Sequence, residues 1–173
     1  MTEAEFARLA QAGYNRVPVV LETFADLDTP LSIYLKLANR PHTYLLESVV
    51  GGERFGRYSF IGLPAETRLE VRGELCAEIR GARVMSEQRV ADPLSYVSDY
   101  LARFKVVQDA TLPRFCGGLV GYFGYDTVRY IERRLAGVRK PDELGTPDIL
   151  LMVSEEIAIV DNLSGKLTLV VYA

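Results

Sequence analysis

From Thr43 onward the chain is a succession of short β-branched and aromatic runs separated by glycine- or asparagine-containing turns, and this spacing constrains its fold most. Runs of roughly four to eight such residues joined by tight turns favour antiparallel neighbours, because a parallel pair needs a crossover of a dozen or more residues. The residues 44–49 form one run, turned by Gly51-Gly52, and residues 57–63 form the next. Residues 67–71 and 75–80 flank Gly73 as a hairpin, and residues 115–123 make an apolar strand punctuated by glycine. Residues 148–153, 156–160 and 166–172 read as a three-strand meander around the turn at 161–165.

Helices are signalled mainly by their starts. Thr2 with Glu5 three positions on is a capping-box pattern, followed by an apolar face of Phe6, Leu9 and Ala10 that ends near Gly13. Thr29-Pro30 and Asp92-Pro93 each place a capping residue before a proline at the first helical position. The first of these predicts a helix with Leu31, Tyr34, Leu35 and Ala38 on one face, stopping at Asn39. The second predicts one with Leu94, Val97, Leu101 and Phe104 in a stripe. Between the first two helices, residues 17–24 read as a strand, and Pro18 assigns it to a sheet edge. Residues 125–134 suit a further helix and 137–147 a loop. Strands and helices mix without strict βαβ alternation, so residues 1–173 are expected to form one α+β region: a mixed, mainly antiparallel sheet with flanking helices. The last strand runs into Ala173 with no turn after it, which reads as an ending inside a larger body.

Composition narrows the function classes. Apolar residues are 49% and charged residues 25% of the chain, the balance of a globular protein with material for a sizeable core. A net charge of -3 gives no electrostatic reason to expect nucleic acid or an anionic membrane as partner. The acidic Met-Thr-Glu-Ala-Glu start is not a signal peptide, and no apolar run reaches membrane-spanning length. Cys76 and Cys116 fall in no CxxC pattern, so two free thiols in a reducing cytoplasm are expected.

Chemistry-bearing motifs are few. His42 is the one histidine and reads as a surface or packing residue; no metal-ligand spacing is present. The segment from Gly117 to Gly124 lacks the Gly-Lys-Ser/Thr ending of a phosphate loop, and its glycines suit a strand that another backbone or ring approaches closely. Arg129, Arg133, Arg134 and Lys140 are interspersed with acids and read as a solvated face. Leu45-Leu46-Glu47-Ser48 is more informative. Strand alternation puts Glu47 in the apolar company of Leu45 and Val49, where a carboxylate needs a partner. Two readings stay open. Arg57 pairs with Glu47 structurally, or the two bind a zwitterion, Glu47 its ammonium and Arg57 its carboxylate, with Ser48 hydrogen-bonding and an apolar ligand side chain on Leu45, Leu46 or Phe60.

Residues 44–48 with Gly51-Gly-Glu-Arg-Phe-Gly-Arg-Tyr-Ser-Phe-Ile-Gly62 resemble the N-terminal signature of anthranilate synthase component I. Residues 24–35, 115–126 with 128–132, and 147–152 with Asp161 and 165–167 extend the resemblance over nearly the whole chain. It implies the N-terminal half of a layered α/β sandwich in an enzyme that makes anthranilate and pyruvate from chorismate. It further implies use of magnesium, ammonia from solution or from a glutamine amidotransferase component II, and feedback inhibition by tryptophan. The motif Leu46, Glu47, Ser48 then corresponds to the tryptophan site, with Arg57 a less specific match. The remaining tryptophan contacts, the chorismate site and the magnesium carboxylates lie, by the same resemblance, in a C-terminal region beyond these residues, so no catalytic residue is assigned here. The piece alone is therefore expected to be inactive and, through an uncovered apolar face, to associate with itself. Aminodeoxychorismate synthase component I, whose N-terminal region is similar, and a free-standing amino-acid-binding module are the alternatives.

Overall fold

The computed structural model describes residues 1–47, 56–135, 137 and 142–173. In chain order the elements begin with α1 (Glu3–Gln11), β1 (Pro18–Phe24), α2 (Pro30–Leu37), β2 (Tyr44–Leu46), β3 (Tyr58–Gly62), β4 (Thr67–Arg72) and β5 (Leu75–Arg80). They continue with β6 (Arg83–Arg89), α3 (Pro93–Leu101), β7 (Gly118–Phe123), α4 (Val128–Ile131), β8 (Ile149–Ser154), β9 (Glu156–Asp161) and β10 (Lys166–Tyr172). Two five-stranded sheets result, ordered β1-β10-β9-β3-β2 and β6-β5-β4-β8-β7, and the fold is α+β. They fall in two compact units. One comprises Met1–Ala65, Phe104–Gly118 and Ser154–Ala173, the other Glu66–Arg103 and Leu119–Val153.

The expected three-strand meander is redrawn at β8. β8 does not join β9 and β10 in a meander; it pairs with β4, while β9 pairs with β3 and β10. Only Glu155 separates β8 from β9, too few residues for even a two-residue hairpin. β6 was not signalled, because all seven of its residues are exposed and it lacks a buried alternation.

In the first unit the helix starts form as read. Thr2 and Glu5 exchange hydrogen bonds in a capping box, and Thr29 does the same with Ser32. α2 covers one face of the sheet, but through Ile33 and Ala38, with Tyr34 beside them, against Leu45, Ile61, Ala158 and Val160. Leu31 and Leu35, expected on that buried face, are exposed; Ile33 takes the central position. The other face carries Tyr44, Tyr58, Phe60, Ile157, Ile159, Val170 and Tyr172, packed with Leu112, Phe115 and Cys116. Here Gly62 stands opposite Tyr44, and a Cβ on it would lie 1.9 Å from the tyrosine ring. The missing side chain lets the ring lie across the strand, and its hydroxyl meets Ser154 Oγ at 2.7 Å.

In the second unit β4 and β5 make the expected hairpin around Gly73, whose φ is +60°. α3 starts at Asp92, which accepts from the backbone of Leu94 and Ser95. Its buried stripe is Pro93, Tyr96 and Tyr100, not the Leu94–Val97–Leu101 line, and Phe104 lies beyond its end. The tyrosines win because each buries a ring while keeping a polar tip bonded, as Tyr100 Oη does with Glu78. Residues 125–135 form two 3-10 turns around the single turn of α4 in place of one continuous helix. Asp148 ties this region together: its carboxylate accepts from Gly73 N at 2.7 Å and Tyr130 Oη at 2.8 Å, and its carbonyl from Gly124 N. The glycine segment behaves as its spacing predicted. A Cβ on Gly121 would meet the Leu150 carbonyl and, in the first unit, one on Gly117 would meet the Tyr172 ring.

Candidate functional site

β2 is three residues long and ends at Leu46, and the chemistry-bearing motif emerges from that end. Leu46 is paired across from Phe60, so both lie on the sheet face that carries Tyr58 and Phe115. Phe60 meets Phe115 edge to face, with centroids 5.0 Å apart, and Tyr58 at 6.2 Å. The result is an aliphatic–aromatic row whose end, Leu46, is 47% exposed. Leu45 points to the opposite face, into the cluster under α2, and contributes nothing to this row.

Glu47 is exposed, which corrects its expected apolar surroundings. Alternation carries a residue to a given face only while the strand continues, and β2 stops one residue earlier. Ser48 lies outside the described residues. Arg57 does not pair with Glu47; it forks onto Asp161, with Nε 3.2 Å from both carboxylate oxygens and Nη2 2.8 Å from Oδ2. Its guanidinium also lies 4.9 Å from the Tyr58 ring centroid. The nearer claimant wins because Asp161 is brought opposite Tyr58 by the β3–β9 register.

Asp161 and Asn162 clamp the entrance of β3. Asn162 donates to the Arg57 carbonyl through its backbone N–H, and its side-chain amide to Gly56 O and to the buried Ser59 hydroxyl. The hydrogen bond from Arg57, with help from the backbone N–H of Leu163, lowers the Asp161 carboxyl to about 2. A depressed carboxylate pKa stabilises the fold above its ordinary value near 3.8 and loses that stabilisation as pH falls towards 2. With Arg57 nearly half exposed, solvent screening holds the contribution to about 1 kcal/mol. Urea titrations at pH 6 and pH 2.5 should therefore show Asp161→Asn costing about 1 kcal/mol at the higher pH and much less at the lower. An equal cost at both would sink the ion-pair account.

Sequence reading missed three residues of this neighbourhood. Phe115 lies just before a strand and carries no periodic signal, whereas Asp161 and Asn162 sit in a turn where such residues are commonplace. The signal available was parity: Tyr58 and Phe60 share a face with Leu46 once the Tyr44–Gly62 pairing is fixed.

No family model matches the chain. Curated relatives do. Anthranilate synthase component 1 of Neisseria meningitidis serogroup B is 56% identical over all of this chain and 36% of its own length. That of Pseudomonas putida is 54% identical over 99% of this chain and 35% of its own, and that of Aquifex aeolicus 40% over 96% and 33%. Among solved structures, anthranilate synthase component I from Streptococcus pneumoniae shares the fold, with a TM-score of 0.51 at 24% identity over 84% of this chain and 30% of that one. The chain spans about a third of the length of the curated relatives it matches. Along its whole length, therefore, this chain is sequence of the anthranilate synthase component 1 family.

Proposed function

We propose that the chain is the N-terminal, tryptophan-sensing part of an anthranilate synthase component I. In this reading the whole enzyme converts chorismate and ammonia to anthranilate and pyruvate, with ammonia delivered by a glutamine amidotransferase component II. The observation that carries it is identity of 54–56% along essentially the entire chain to proteins of that name. Tryptophan's ammonium is held by Glu47, its indole rests on Leu46 and the Phe60–Phe115 row, and Ser48 supplies a hydroxyl. Arg57, anchored by Asp161, turns its Nη1 side to the ligand carboxylate. A half-open apolar row with a carboxylate at its rim suits a zwitterion bearing a large aromatic side chain.

Bound tryptophan stabilises an arrangement of this part that disfavours chorismate elsewhere in the enzyme; such couplings are typically about 1–3 kcal/mol. The chemistry itself belongs to residues beyond these. Among the described residues no three His, Cys, Asp or Glu side chains converge as a metal site, and the magnesium implied by the family is proposed to bind in the C-terminal region beyond these residues. No helix among the described residues is long and apolar enough to cross a membrane, and a cytoplasmic enzyme is proposed. By itself the chain is proposed to be inactive and to self-associate through exposed apolar side chains.

The test is anthranilate fluorescence from chorismate, ammonia and magnesium, using the reading frame extended beyond Ala173, with and without tryptophan. Fluorescence suppressed by tryptophan is the expected result. A product that needs a separate lyase to release its aromatic amine would transfer the chain to the aminodeoxychorismate branch. In the extended protein, Ser48→Phe fills the pocket and should raise the tryptophan needed for half-inhibition at least about tenfold while sparing turnover. Unchanged sensitivity would remove Ser48 from the site.

A further inference from the structure

β1 is an edge strand whose free side differs from that of the edge strand β6. β6 is protected by Arg83, Glu87 and Arg89 and by an irregularity in the register of its partner β5. β1 has one charged residue, Glu22, and that is tied to Lys166 at 2.7 Å. Otherwise it exposes Val19, Val20, Leu21 and Phe24, with Leu21 62% and Phe24 70% exposed.

The ladder fixes which backbone groups are available. Val17 exchanges both hydrogen bonds with Ala173, and Ala25 donates to Gly165, so odd-numbered residues face β10. The N–H groups of Val20, Glu22 and Phe24 point to the open side, as do the carbonyls of residues 18–24 at even positions. Before β1 that side is closed by residues 105–107, which bond to Asn15 and Arg16. Beyond Val107 the chain runs on through Gln108, Asp109 and Ala110, which with Met1, Leu9, Val17 and Val107 line a pocket of about 280 Å³ beside Pro18 and Val20.

From these features we infer that β1 pairs antiparallel with β1 of a second copy, about a two-fold axis at Leu21. This deepens the self-association proposed above and rests on it. A two-fold contact requires that whatever residue i meets, its mate meets in return. Phe24 lies three residues after Leu21 and Pro18 three before, so this register sets Phe24 of each copy opposite Pro18 of the other. Those two residues share a sheet face with Val20, and the exposed ring enters the pocket they flank. Leu21 meets its own mate as a close, non-hydrogen-bonded pair, and Val19 meets Thr23. Glu22 falls opposite Val20, which keeps the two carboxylates off the axis and leaves each with its own Lys166.

Sedimentation velocity of the chain across a range of concentrations, combined with four variants, tests the register. The parent chain should form a reversible dimer. Leu21→Cys should be captured by oxidation as a covalent dimer through position 21, whereas Val20→Cys, opposite Glu22 and not itself, should not. Phe24→Ala should raise the dimer dissociation constant about 30-fold, as loss of a pocketed aromatic anchor does. Glu22→Pro removes an N–H that β10 does not use, so it should abolish the dimer with an unchanged circular dichroism spectrum. A parent that stays monomeric overturns both the register and self-association. A dimer that resists Phe24→Ala and Glu22→Pro and is not captured at position 21 overturns the β1 pairing alone.

Discussion

Gly121→Ala is expected to destabilise the chain by about 3 kcal/mol or to prevent it from folding. A Cβ built on Gly121 lies 1.9 Å from the Leu150 carbonyl oxygen and 3.0 Å from Leu151 Cα, both backbone atoms. A flexible side chain facing such an intruder rotates away, but a strand backbone has no comparable escape. Leu150 is within β8, which is held by β4 on its other side through the Arg68–Met152 to Val71–Ile149 register. Relief therefore requires moving β7 or breaking a ladder, and overpacking of this kind costs about 1–3 kcal/mol even where neighbours can shift. Thermal unfolding should show a drop of at least roughly 6 °C for a domain of this size. Gly137→Ala is the matched control, since nothing lies within 4 Å of its Cβ position. If Gly121→Ala melts with the parent, the close approach of β7 to β8 is wrong.

That glycine shows what kind of structure was legible in the sequence. Local signals act within a few residues and survived: the capping box at Thr2, the caps at Thr29 and Asp92, the Gly73 hairpin and the edge position that Pro18 imposes on β1. Glycines kept apart by apolar residues also announced that something would approach them, though not that Leu150 and Tyr172 would be the neighbours. Errors arose where a choice depends on distant partners. Nothing local tells β8 to pair with β4 instead of β9, and helical spacing offers several stripes between which tertiary packing decides, as with Ile33 over Leu35 and Tyr96 over Val97. The candidate site divides in the same way. Leu46 and Phe60 share a face as parity required, but Arg57 goes to an aspartate 104 residues away, and Glu47 escapes alternation because β2 is so short.

Glu47→Gln in the full-length enzyme is expected to raise the tryptophan concentration for half-inhibition about 30-fold, with kcat and the KM for chorismate unchanged. The proposed contact is a charge-assisted hydrogen bond from the ligand ammonium, and bonds of that kind contribute about 1.5–3 kcal/mol. Glutamine keeps the length and an acceptor oxygen but loses the charge, so the change isolates electrostatics from shape. Because Glu47 is exposed and separate from the apolar clusters, the substitution should leave stability within about 0.5 kcal/mol. Indole-3-propionate closes a double-mutant cycle on the ligand side, since it keeps the ring and carboxylate but lacks the ammonium. It should inhibit the parent weakly, and Glu47→Gln should weaken it no further. If the substitution weakens both ligands equally, Glu47 acts on the arrangement of the site and not on the ammonium. If it weakens neither, the indole row of Leu46, Phe60 and Phe115 has to bind tryptophan in an orientation that turns its ammonium away from β2.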